Sequence, residues 1–376
     1  MNNKNQAGRF IALDAVRGIA ALVVVFNHYV QTIPEGTRQL LAYPGGWLNP
    51  GAWATPWPWL RFTPFRLLVD GHAAVIVFFL LSGFVLALQV KQDSQPLFVP
   101  FLIKRVCRIF LPFAFAIALS WWIFSSFPLG TNISTSQWFK EHATLMSNAS
   151  LIDHLLMNGR DMRLNPVMWS LIHEMRMAIF LPLMFVALRR IDQRIFIAVA
   201  LLISIVATFG MTDANSDVRW QATAHFFWLF AIGSSLAFHR TSISTLFRNA
   251  GNFSMVIMWA LALGLLMTPF DRTWSDFLMG AGAILLIVLS LQEGKVSTAL
   301  STPIPVWLGR ISYSLYLIHL PILVFILSTT NIPMLAIFVL TLLCSELTYR
   351  VIEAPAHKIG IVITERLYKA RLVENR

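Results

Sequence analysis

Ten stretches of this chain are apolar enough to enter a lipid bilayer: about 11–31, 66–90, 102–126, 167–188, 194–211, 221–239, 253–270, 275–292, 311–330 and 333–351. The hydrocarbon core is about 30 Å thick and offers no water to backbone N–H and C=O groups. A segment that crosses it must satisfy those groups internally, and a helix of roughly 20 residues does so. That constraint predicts an all-α, polytopic membrane protein with about ten transmembrane helices. Composition agrees: of 376 residues, 57% are hydrophobic and 12% charged, and the mean hydropathy of +0.66 lies outside the range of soluble domains. A net charge of +11 would suggest nucleic acid in a soluble chain. Here the basic residues gather in alternate loops, around Lys104, Arg105, Arg108, Arg189, Arg190, Arg194 and the C-terminal tail. The positive-inside rule accounts for that, and with an even number of spans it puts both termini in the cytoplasm. No nucleic-acid partner is expected. Cys107 and Cys344 are the only cysteines, so neither a disulfide framework nor a thiolate metal site is implied. The N-terminal MNNKNQAGRF is short and basic like a signal-peptide n-region, but no small-residue cleavage site follows, so the first helix is expected to remain. No repeat or linker divides the chain. Residues 1–376 read as one membrane domain, with a core of about 10–355 and a basic cytoplasmic tail at 356–376.

In the first span, Arg9 to Val30, three residues do not fit an apolar helix: Asp14, Arg17 and His28. An ionisable side chain at the bilayer centre costs about 2.5–3.5 kcal/mol on insertion scales, so such residues mark function more often than chance. Arg17 and His28 are eleven positions apart. At 100° per residue they fall about 20° from a whole number of turns, on one stripe, roughly 16 Å apart along the axis. Plainer roles exist for each. Asp14 and Arg17 can neutralise each other at i, i+3, Arg17 can snorkel to the interface, and His28 can be a structural histidine near the far interface.

Five further spans carry residues of note. The second span, His72 to Leu88, contains Ser82 and Gly83, a small pair that permits close helix approach. At the head of the third span, Arg105 and Arg108 stand at i, i+3 beside Lys104, either a clamp for a polyanion at a helix N-terminus or ordinary positive-inside charge. The fourth span opens with Trp169, His173, Glu174 and Arg176; Glu174 and Arg176, at i, i+2, point apart. The ninth span places Arg310 at its edge and sends Tyr313, Tyr316 and His319 up one face, His319 being equally suited to a core role. In the last span Arg350 and Glu353 are spaced to pair, and Pro355 is expected to stop the helix. In the first long loop Trp47, Trp53, Trp57 and Trp59 suit an interfacial belt better than a sugar platform.

Taken in order, LDAVRGIAALVVVFNH with Arg17 and His28, FFLLSGF at Phe78–Phe84, RVCRI at Arg105–Ile109, WSLIHE at Trp169–Glu174, SYSLYLIH at Ser312–His319 and YRVIEAP at Tyr349–Pro355 resemble the acyltransferase-3 family of integral-membrane acyltransferases. Each motif alone is weak; the ordered set, reaching from the first span to the last, is specific. The resemblance implies a ten-helix domain that takes an acyl group from cytoplasmic acyl-CoA, commonly acetyl-CoA, and delivers it to a hydroxyl at the outer face, often on a carbohydrate or glycolipid. The chain resembles the stand-alone members of the family, and the extracytoplasmic SGNH hydrolase-like domain that some members carry is not expected. The resemblance further implies a bacterial inner-membrane location and no metal cofactor. His28 and Glu174 are then expected as catalytic residues. Arg17, Arg105, Arg108, Arg310, Ser82 and Tyr313 are expected around the donor, and His72, Trp169, His173 and His319 around the acceptor.

This fits the residues. Arg17, Arg105, Arg108 and Arg310 gather where the phosphorylated head of the donor would dock, and the pantetheine arm would run along the Arg17–His28 stripe. His28 is expected to take the hydroxyl proton as general base, an effect worth typically 10²–10⁴-fold, with Glu174 orienting it. A transporter or flippase of a polar or lipid-linked glycan, using the same histidines as a proton relay, is the rival from another class. It would release no thiol from acetyl-CoA.

Overall fold

The computed structural model describes residues 3–33, 54, 56–88, 98–127, 136–142, 148–211, 218–247, 250–268 and 272–374, and among them there is no strand. In chain order the elements are α1 (Asn3–Thr32), α2 (Pro56–Phe62), a 3-10 turn (Pro64–Leu68), α3 (Gly71–Leu88), α4 (Phe98–Arg105), a π turn (Val106–Phe110), α5 (Leu111–Ser126), α6 (Gln137–His142), α7 (Asn148–Leu155), α8 (Met168–Arg190), α9 (Gln193–Thr208), α10 (Trp220–His225), α11 (Phe227–Leu246), α12 (Asn252–Leu266), α13 (Arg272–Ser290), α14 (Lys295–Leu300), α15 (Pro303–Thr329), α16 (Met334–Thr348), a second π turn (Tyr349–Glu353) and α17 (Ala354–Glu374). Trp47 and Trp53 of the aromatic loop lie outside the described residues, whereas Trp59 is 48% exposed.

Among the described residues, six helical stretches are long and apolar enough to cross a membrane: Ile11–Thr32, Gly71–Leu88, Phe98–Ser126, Thr273–Ser290, Pro303–Thr329 and Met334–Leu367. A seventh forms if the two halves of α8, bent by 55°, count as one span. The bend falls at Pro182, which has no N–H to give and whose ring clashes with the preceding turn. Among the described residues these spans do not confirm the expected count of about ten. Helices do occupy the other expected places, but α9 and α12 have 16 and 15 residues, about 22–24 Å at 1.5 Å per residue. On α16, Leu335, Val339, Leu343, Leu347 and the following Val351 form an exposed apolar row at i, i+4, a stripe suited to lipid rather than water.

The chain divides into two compact units: Met1–Gln89 with Ser134–Phe139 and Ala187–Ser312, and Val90–Ile133 with Lys140–Val186 and Tyr313–Arg376. In the first unit α3 packs on α11 and α1, and α12 on α13. Small residues set the spacing. A methyl group on Gly83 of α3 would overlap the backbone of Phe230, and one on Gly233 of α11 would overlap the carbonyl of Leu80. Ser234 adds a hydrogen bond to the Gly83 carbonyl at 3.0 Å. The Ser82–Gly83 pair therefore does what its size suggested, through the glycine.

In the second unit three prolines explain local geometry. Each π turn ends just before a proline, Pro112 at the start of α5 and Pro355 at the start of α17. The wider turn lets the chain pass a residue that lacks an N–H without breaking the helix. Pro355 accordingly does not stop the last helix, and most of the expected basic tail is helical, as α17. Within α15, Pro321 cannot donate to the Leu317 carbonyl four residues back, and the buried Asn165 amide does so instead at 2.7 Å. Arg350 pairs with Glu346 at 2.5 Å rather than with Glu353, whose carboxylate accepts from the Ser314 N–H and hydroxyl at 3.1 and 2.6 Å.

Candidate functional site

In the first unit, α1 is one continuous helix through both Arg17 and His28, so the two do share a stripe. Arg17 is engaged within the protein. Its Nε donates to Ser312 Oγ and its Nη2 to the Gly309 carbonyl, both at 2.9 Å, and Asp14 lies 3.2 Å away. The helices are close enough there that a methyl on Gly18 or on Gly309 would meet the opposite backbone. Arg17 is thus a latch at the tightest crossing of α1 and α15, and the Asp14–Arg17 pair foreseen from spacing forms. Arg310, one residue beyond Gly309, is exposed.

Eleven residues along, the half-buried His28 ring stacks on Trp138, with centroids 5.5 Å apart and planes 24° from parallel. The segment carrying Trp138 is tied to the end of α1 by Ser136, whose N–H and hydroxyl donate to the carbonyls of Thr32 and Gln31. Next to His28, the Asn27 amide donates to the Val69 carbonyl at 2.6 Å and lies against Gly71. Asp70 caps α3 by accepting the Ala73 N–H at 3.0 Å, and it also accepts Arg66 Nε at 2.6 Å. His72 follows in the first turn of α3. Its Nε2 hydrogen-bonds Asp276 of α13, whose other oxygen meets His225 Nε2 at 2.9 Å. Asp276 and His225 are fully buried. Neither was singled out from the sequence, although both stand inside predicted spans, where an ionisable residue is itself a signal. Trp138 carried no such signal, because only the docked segment brings it to His28.

A cavity of about 260 Å³ also opens in this unit, lined along α1 by Val16, Ile19, Ala20 and Val23, with Asp70 also in its lining. Those four residues lie roughly a third of a turn from the Arg17–His28 stripe, so cavity and stripe use different faces of α1.

In the second unit Arg105 and Arg108, expected as a compact cationic clamp, do not keep regular i, i+3 helical spacing. The π turn that begins at Val106 changes the angular step, so i, i+3 no longer means one face. Arg105 is buried, and its Nη2 donates to Glu174 Oε1 at 3.1 Å; Arg108 is half-buried. The Tyr313 hydroxyl donates to the Ile109 carbonyl within the π turn at 2.7 Å. Tyr316 shares a 2.7 Å hydrogen bond with Ser170, and the fully buried His319 donates through Nδ1 to the Leu315 carbonyl at 3.0 Å. His173 is fully buried too, edge-on to the half-buried Trp169 with centroids 6.0 Å apart. Of the expected site residues, then, Arg17, His28, His72, Ser82 and Arg310 belong to the first unit. Arg105, Arg108, Trp169, His173, Glu174, Tyr313 and His319 belong to the second.

The second unit also holds a charged loop segment. Burial pushes the Asp161 carboxyl up, but hydrogen bonds from Arg163 and from Ser150 more than offset this and hold it well below the usual carboxylate range. Burial pushes His154 down. Both folded values are depressed, so both groups support the segment at neutral pH and release it on acidification, His154 below about pH 6.5 and Asp161 below about pH 4. Hydrogen exchange over residues 148–164 is expected to quicken as pH falls through this range, after correction for intrinsic rates. Asp161→Asn should remove the lower step; an unaltered acid profile in that variant would count against the assignment.

Comparison with known proteins adds one result. Neither curated proteins nor solved structures give a match. The family model described as an acyltransferase domain, of the acyltransferase-3 type, matches residues 10–350, from the start of the Arg17–His28 helix to the second π turn. With that match over nearly the whole helical chain, the protein belongs to the acyltransferase-3 family and is an integral-membrane acyltransferase.

Proposed function

We propose that this protein is an O-acyltransferase that moves an acyl group, commonly acetyl, from cytoplasmic acyl-CoA to a hydroxyl of an extracytoplasmic carbohydrate or glycolipid. We propose too that it spans a bacterial inner membrane about ten times with both termini cytoplasmic; the positive-inside bias supports that topology. The observation that carries the reading is the imidazole of His28, set on the same stripe of a continuous helix as Arg17 in a chain of this family. The donor arm follows that stripe, and His28 stands at the transfer point. Arg310, exposed beside the Arg17 latch, meets the donor phosphates as a strong donor to an anion. Purified protein given acetyl-CoA and a panel of mono- and oligosaccharides should release free CoA thiol with at least one sugar. Sugar uptake into vesicles without thiol release would establish the transporter instead. Arg310→Ala should weaken CoA binding by calorimetry.

A further inference from the structure

Four helix ends converge in the first unit on one buried carboxylate. His72 lies in the first turn of α3, His225 closes α10, Thr208 closes α9, and Asp276 follows the start of α13. An ionised carboxylate only accepts hydrogen bonds, so both ring nitrogens that face Asp276 carry their protons. For His72 that nitrogen is Nε2, and in the neutral ring the lone pair is then on Nδ1. His225 holds the other carboxylate oxygen and meets Thr208 Oγ1 at 2.8 Å through its own Nδ1, which fixes Asp276 from behind. A carboxylate that locks the tautomer and orientation of an imidazole, and steadies the cation it becomes, is the arrangement that makes histidine an effective base. The His72 side chain is 11% exposed, whereas Asp276 and His225 are fully enclosed. His72 is therefore the least enclosed member of the cluster, although its Nδ1 is itself buried. It also lies close to the transfer point, since Asn27, next to His28, packs on Gly71, next to His72.

We propose that His72 is a second catalytic imidazole, the one that takes the proton of the acceptor hydroxyl, and that Asp276 and His225 are positioning residues acting through it. The proposal rests on the acyltransferase reading and names a further acid–base group of the same site. As the hydroxyl oxygen bonds to the thioester carbonyl carbon, its O–H bond breaks and the proton goes to His72 Nδ1. The C–S bond then breaks, the CoA thiolate leaves, and it takes the proton from His72. Ester and free thiol are the products, and His72 is neutral again.

Hydroxylamine tests this, because its neutral nitrogen attacks a thioester without first losing a proton. Thiol release from acetyl-CoA is measured with hydroxylamine and, separately, with the saccharide panel. His72→Gln keeps a donor toward Asp276 but takes up no proton. It is expected to lose saccharide transfer by about 10²-fold or more, with a far smaller loss toward hydroxylamine and an unchanged KM for acetyl-CoA. Asp276→Asn, which no longer holds the tautomer, should show the same split. Equal losses with both nucleophiles, or no loss with either, would overturn the proposal. So would failure of both variants to run as monodisperse protein, which would make the cluster a folding element. A wild-type protein silent with both nucleophiles would instead remove the acyltransferase reading on which the proposal stands.

Discussion

His28→Ala is expected to lose at least about 10²-fold in acyl turnover, the usual scale for removing a group that stabilises the transition state at the transfer point, and to remain folded. The ring stacks on Trp138, an aromatic contact worth about 0.5–1.5 kcal/mol beyond its area, a small part of the stability of a chain this size. CoA affinity should hardly change, because the donor head is proposed to dock near Arg17 and Arg310, roughly 16 Å along α1 from this residue. Arg17→Ala should behave differently. It removes hydrogen bonds to Ser312 and Gly309 and the pairing with Asp14 at a backbone-tight crossing, so its main effect should be a lower melting temperature in detergent. His319→Ala is the control, since His319 is enclosed in the second unit and bonds its own helix. Near-normal turnover in His28→Ala beside an inactive, well-folded His319→Ala would move the catalytic role to α15 and end the mechanism proposed here.

Gly83→Leu should give no folded protein. The new side chain would begin inside the backbone of Phe230, at the most extensive helix pairing in the first unit, and backbone cannot swing aside as a side-chain tip does. Overpacking a core with flexible neighbours costs about 1–3 kcal/mol; here the neighbours are main chain and the helices must separate, losing also the Ser234 bond to the Gly83 carbonyl. Ser234→Ala isolates that bond and should cost only about 1 kcal/mol. The readout is size-exclusion behaviour and thermal midpoint in detergent. A Gly83→Leu protein as stable as wild type would mean that α3 and α11 do not pack as described.

Helices at each apolar stretch, the Asp14–Arg17 pair, the shared stripe of Arg17 and His28 and the packing role of Gly83 were all legible from the sequence. They depend on 100° and 1.5 Å per residue or on side-chain size, which are local properties. Where local geometry departed from the regular helix, the same arithmetic failed: a π turn took Arg105 off the face of Arg108, and another carried the chain past Pro355. Sequence also could not supply partners. Arg105 meets Glu174 from 69 positions away, His72 meets Asp276 from 204, and Asn165 reaches a carbonyl freed by Pro321 from 152. A buried polar group must find a complement somewhere, so its presence in an apolar segment announces that a partner exists. Which residue answers is decided only when distant helices cross, at separations set by glycines such as Gly83 and Gly233, whose neighbours lie more than a hundred residues away along the chain.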